Sequence, residues 1–296
     1  NILEKLVPIL FQCDVFHPYY IYENVDSLFN KNSFLPYKII TSDFVIAISY
    51  DQSKAVLYRD ASMINLLNET FQKQLNIATP ICHTFHPTPT EYLASTFAPN
   101  EDLDADTIYE LFYQPCFPSF CPDDILLDRL NTDIIPPEMQ NVIVDYFAKI
   151  RAQYQNKHIS FTLEGLNYFM ETGRVTEIPD FMYSYLTPPQ RLTMLKAILA
   201  SVDDGSFTPH IIRSERLTVP SPICICAPNE HKVIIYYFSP DKGQYIFSLQ
   251  ELSLVQAFYD FLTYLHESPL VYSLDESKAM LHNVLEKYQQ LSNFQS

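Results

Sequence analysis

Glycine is nearly absent from this chain: only 4 of its 296 residues, against 21 prolines. Loops that press backbone amides onto a phosphate need several glycines at fixed offsets. Walker and Gly-x-Gly-x-x-Gly nucleotide sites are therefore excluded, and neither pattern occurs. Tryptophan is missing altogether. Basic residues are in deficit, with 19 Lys and Arg facing 35 Asp and Glu for a formal net charge of −16. A surface of that sign repels a phosphate backbone, which argues against direct nucleic-acid binding by this chain. No apolar run approaches the ~20 residues of a membrane span. The opening Asn1-Ile-Leu-Glu-Lys-Leu-Val-Pro8 lacks the basic-then-apolar layout of a signal peptide. Gly-x-Ser-x-Gly, the signature of one large class of serine hydrolases, is also absent.

What is present is a large apolar share, 47%, in a chain long enough for more than one hydrophobic centre. Six cysteines without a secretory segment read as reduced, buried thiols in a cytoplasm. The aromatic load is 21 Tyr and 21 Phe, clustered at 16–22, 109–120, 181–185 and 236–238. Such clusters pack cores and interfaces, or line an apolar pocket with hydroxyl handles.

The chain opens without Met, inside an amphipathic pattern of Ile2, Leu3, Leu6, Val7 and Leu10, so further sequence is expected upstream of Asn1. Two apolar runs, 44–50 and 55–58, flank a polar tetrapeptide and predict a β-hairpin. Asp60 then caps a helix to about Gln74. Short helices are predicted over 90–97 and 105–113. A long one starts at Pro136-Pro137 with Val142, Ile143, Tyr146, Phe147 and Ile150 on one stripe. Another covers 163–171 and ends at Gly173. Thr187-Pro-Pro-Gln190 opens the next. Strands are predicted over 210–213, 223–226, 233–238 and 244–249. Ser248-Leu-Gln-Glu251 and Ser273-Leu-Asp-Glu276 read as capping boxes for two last helices. The expected fold class is thus α+β, predominantly helical, with small antiparallel sheets packed by amphipathic helices. Its parts are an N-terminal α+β region over 1–100, a helical middle over 101–205, and a sheet with two capped helices over 206–296.

Within 161–290 four pieces stand together: Glu164-Gly165-Leu166 with Phe169 and Thr172-Gly173; Pro188-Pro189-Gln190-Arg191-Leu192; Glu251 with Ala257-Phe258 and Asp260-Phe261-Leu262; and Val271-Tyr272-Ser273 with Glu276. This stretch, a little under half of the chain, resembles the non-DNA-binding region of helix-turn-helix transcriptional regulators from Gram-positive bacteria. The resemblance implies dimerisation or effector sensing, with DNA handled by a separate domain. No such domain is found in this chain. The best internal candidate, 123–155, has Lys149 and Arg151 but no basic recognition helix.

Candidate chemistry is sparse. Asp102, Asp104 and Asp106 alternate like a calcium loop, but Thr107 and Tyr113 stand where that loop needs Gly and Glu. Cys82, His83 and His86, with Cys116 and Cys121, are the metal-ligand types nearest to zinc spacing, although the pairs do not match a standard site. Cys224 and Cys226 share a strand face, as a redox pair or as small core hydrophobes. The expectation is a non-enzymatic sensing and dimerisation region of a bacterial transcriptional regulator. It would be cytoplasmic and homodimeric, with a small-molecule effector, no cofactor, no membrane contact, and DNA reached only through an absent domain. The alternatives are an acidic protein-interaction module without a ligand and an enzyme lacking a recognisable motif.

Overall fold

The structure is a computed structural model. It describes Ile9 and residues 16–22, 35–85, 87–97, 107–153, 157–221, 223–239 and 243–295. The expected opening helix, the Asp102–Asp106 loop and His86 lie outside the described residues. The chain divides into two units, Asn1–Cys82 and His83–Ser296.

In the first unit β1 (Tyr19–Tyr20) pairs with β5 (Thr79–Pro80), and β2 (Tyr37–Ile40), β3 (Val45–Ile48) and β4 (Ala55–Tyr58) form an antiparallel sheet. Val45 and Ala47 alternate with their neighbours and are buried, the period-2 signature of a strand with one covered face. Helix α1 (Ala61–Leu75) follows, its first turn closed by Asp60 Oδ1 accepting from the Met63 amide at 3.1 Å.

The second unit is built on one seven-stranded sheet. Its strands are β6 (Cys82–Phe85), β7 (Ile108–Leu111), β8 (Lys157–Thr162), β9 (His210–Ile212), β10 (Ile223–Asn229), β11 (Lys232–Ser239) and β12 (Gly243–Leu249), in the order β6-β12-β11-β10-β7-β8-β9. The pairs β7–β8 and β8–β9 are parallel, whereas β7–β10, β10–β11 and β11–β12 are antiparallel. Parallel neighbours need long crossovers. The first is supplied by a 3₁₀ turn (Phe117–Ser119), α3 (Asp123–Arg129) and α4 (Pro137–Gln153), the second by α5 (Leu163–Thr172) and α6 (Pro188–Asp203). A shorter helix, α2 (Pro89–Thr96), lies between β6 and β7, and α7 (Leu252–Leu265) and α8 (Leu274–Gln295) close the chain.

These findings overturn the expected fold class. The protein is a mixed α/β structure, 44% helical and 23% strand, and its main sheet is neither small nor purely antiparallel. The 105–113 segment contains strand β7 instead of a helix, and β8 appears where no strand was expected. Both strands are short and carry polar residues at central positions, which breaks the apolar run that would announce them.

Side chains on one face of the sheet, among them Ile159, Phe161, Ile211 and Cys224, join the main core with α4, α5, α6 and α8. The other face is covered by α7, which packs on β7, β10, β11 and β12. Helix caps explain where the helices begin. The Thr187 amide donates to Gln190 Oε1 at 3.0 Å, and Ser273 and Glu276 close a reciprocal box. The box expected at Ser248 is replaced by Glu251 itself, whose carboxylate accepts from Ser253 and Leu254 amides at 3.1 and 2.7 Å. Gly173 ends α5 at φ 75°, a left-handed position where a Cβ would meet the Leu186 carbonyl.

Candidate functional site

On the core-side face, the second unit forms a half-open cavity of about 300 Å³. Strand alternation chooses its floor. Ile108 and Glu110 of β7, Lys157 of β8, and Cys224 and Cys226 of β10 point to the same side, with Glu110 opposite Cys226 and Cys224 opposite Tyr236 of β11. Tyr146 of α4 and Glu177, in the loop after α5, contribute to the walls.

Four ionisable groups meet in this largely apolar space. Lys157 Nζ lies 3.2 Å from Glu110 Oε1, with the two side chains only 5% and 7% exposed. The Cys226 thiol also points at that oxygen, at 3.8 Å. Burial is the largest influence on Lys157 and disfavours its ammonium, but Glu110, by charge and hydrogen bond, together with the Cys116 and Cys226 thiols, holds the lysine above its ordinary range. Glu177 behaves oppositely. Burial, and then the negative Glu110, push its carboxyl up to about 8, although the Phe117 amide donates to its Oε1 at 2.9 Å. The cluster therefore sets the Lys157–Glu110 contact beside a carboxyl, Glu177, that favours its protonated form. Two buried acceptor oxygens that border the cavity, Glu110 Oε2 and Gln244 Oε1, have no hydrogen-bond partner. An acceptor stranded in an apolar space is destabilising until a donor reaches it.

Burial drives the thiols of Cys116 and Cys224 well above the ordinary cysteine range. They are protonated and poorly nucleophilic, so they serve as packing groups. Tyr146 is pushed up to about 12 and Tyr236 is raised well above the ordinary tyrosine range, both chiefly by burial, which keeps their hydroxyls neutral. The arrangement suits recognition of donors by fixed acceptors.

A second cluster occupies the opposite face, under α7. His158 of β8, His210 of β9 and His266, which caps the C-terminus of α7, bring one ring nitrogen each within 4.8 Å of one another. The Tyr109 ring stacks on both His158 and His266, with centroids 5.0 Å away in each case. Neither nitrogen of His266 has a hydrogen-bond partner. Burial, and then the neighbouring imidazoles, lower His210 to about 4; burial, and then His158, do the same to His266.

The residues singled out from the sequence are dispersed. Cys82 is buried in β6, His83 is exposed, and His86 is outside the described residues. Cys116 lines the cavity and lies 3.2 Å from Ser119 Oγ. Cys121 instead borders a separate void of about 30 Å³ and donates to the Pro122 carbonyl at 3.6 Å. Among the described residues, the histidine trio is the one set of three that could hold a metal, and it contains none of those candidates. Cys224 and Cys226 do share a face, and both line the cavity. Sequence reasoning missed Glu110, Lys157, Glu177 and Gln244, and all three clustered histidines. A signal was there: His158-Ile-Ser-Phe-Thr162 alternates polar and apolar over five residues, the period of a strand. Compared with family models, curated proteins and solved structures, the chain matches none.

Proposed function

We propose that the His83–Ser296 unit binds a small molecule, as the effector-sensing part of a bacterial transcriptional regulator. One observation carries the binding reading: the 300 Å³ cavity is walled by apolar and aromatic side chains yet presents two unpartnered buried acceptors, Glu110 Oε2 and Gln244 Oε1. That volume is at the lower end of ligand pockets, roughly 300–1,000 Å³. The occupant is a compact, largely apolar molecule bearing N–H or O–H donors, such as an aromatic amine or amide. Protonated Glu177 adds a donor of its own for a ligand carbonyl.

The regulator context rests on the resemblance over 161–290. In that context the protein is cytoplasmic and homodimeric, and DNA is engaged by a domain outside this chain. The ligand would act by binding one arrangement of the dimer better than another and shifting its population.

Native mass spectrometry of the protein as purified from cells, before and after denaturation, tests this. The expected result is a dimer with a bound small molecule that is lost on denaturing. Glu110→Gln and Gln244→Leu variants are expected to reduce its occupancy. A ligand-free monomer, with no stabilisation by aromatic amines or amides in a thermal-shift screen, would sink the sensor reading. It would favour an interaction module, which has its own support in the first unit, where Ile39 and Leu57 are opposed across Ile46 and are 53% and 51% exposed.

A further inference from the structure

We infer that His158, His210 and His266 form a three-imidazole site for a divalent transition-metal ion of the zinc class, on the face of the sheet opposite the cavity. The inference starts from placement. Two ligands sit on adjacent parallel strands: Ser160 pairs with His210, and His158 is two residues before Ser160, so both rings leave the same face. The third comes from the end of the helix that covers that face. Ring centroids lie 4.7 Å apart for His158 and His266, 4.9 Å for His210 and His266, and 6.2 Å for His158 and His210. Sequence separation is large, so only the fold brings these rings together.

The chemistry of the donors points the same way. A buried imidazole normally has each nitrogen satisfied by a donor or acceptor. His266 has neither, and a nitrogen of each of two more imidazoles stands within 4.8 Å. Three neutral nitrogens cannot satisfy one another by hydrogen bonds alone, whereas one cation accepts a lone pair from each. A neutral imidazole ring offers one such lone pair, and the three rings here converge. Tyr109 lies flat against two of them and fixes their planes.

Neutral nitrogen donors without a carboxylate select zinc, copper, nickel or cobalt over magnesium and calcium. Zinc–nitrogen bonds of about 2.0–2.1 Å in a tetrahedron place nitrogens roughly 3.4 Å apart. Loading therefore draws the three nitrogens closer than their present separation of up to 4.8 Å. Three protein ligands leave a fourth position for water or an anion, the arrangement of an open metal site.

The test uses tag-free full chain, stripped with a chelator and titrated with Co²⁺, then Zn²⁺. One cobalt per chain is expected, with the intense visible bands of four-coordinate geometry, displaced stoichiometrically by zinc. His210→Ala is expected to weaken binding by roughly 100-fold or more, since even supporting residues around a metal cost 10–100-fold. His83→Ala, an exposed histidine of the same unit, is expected to leave it unchanged. His158→Phe and His266→Leu provide independent variants, and circular dichroism identifies those that fold. A folded variant of His158, His210 or His266 that keeps the parent's affinity overturns the site. So does a parent that shows no saturable cobalt spectrum.

Discussion

Glu177 retains its proton at pH values where an exposed glutamate has lost it. Its pKa rises from 4.5 to about 8 because burial, and then Glu110, disfavour the charged form. Between those values the folded chain binds a proton that the unfolded chain releases. The contribution to stability is therefore fully present below pH 4.5 and is lost as pH rises through about 8. Urea denaturation from about pH 5 to about pH 9 is expected to show the parent weakening, and Glu177→Gln is expected to flatten that dependence. The Lys157–Glu110 pair makes a second prediction. Removing one partner strands a charge, so Lys157→Met is expected to cost about 3–5 kcal/mol by denaturant midpoint. The double variant Lys157→Met with Glu110→Leu is expected to recover much of that loss. None of this was legible in the sequence. Lys157 and Glu110 are 47 residues apart, and each looks like an ordinary surface charge until the register of β7 and β8 is known.

At the scale of elements, what the sequence announced were helix boundaries, because caps are local chemistry. Asp60, Thr187, Ser273 and Gly173 each do their work within four residues, and each stands where it was expected. What stayed hidden were β7 and β8, whose stability comes from partners far along the chain. Ile108-Tyr-Glu-Leu111 has no alternation that separates it from a short helix, and its polar Glu110 faces a cavity instead of solvent. Gly165 shows how tightly α5 is set against the end of β7. A Cβ there would lie 1.8 Å from the Tyr113 carbonyl oxygen, an atom that also accepts a 2.7 Å bond from Thr162 Oγ1. Alanine in a helix gains about 1 kcal/mol in propensity over glycine. The clash is with backbone, so it outweighs that gain. Gly165→Ala is expected to destabilise the protein by about 1–3 kcal/mol, measured as a lowered midpoint in thermal or urea unfolding.

At the scale of the whole molecule, the cavity and the histidine trio both belong to the second unit. A chain cut to residues 82–296, which keeps β6 entire, is expected to unfold in one cooperative transition and to retain both the acceptor-lined cavity and cobalt binding. Circular dichroism melts and the cobalt titration check this; a molten or aggregated fragment would refute it. The acidic balance, a formal net charge of −16, argues against one class of partner without naming another. The mixed sheet was beyond reach, because its parallel pairs are joined through two helical crossovers that read individually as a helical region.

Lys157 and His158 are consecutive residues, yet they face opposite sides of one strand. That strand is a party wall: a single backbone thickness separates two chambers. A tilt or slide of β8 that improves the fit on one side changes the spacing on the other in the same movement. Reciprocity then governs the two occupants. If filling one chamber tightens the other by some factor, filling the second tightens the first by the same factor.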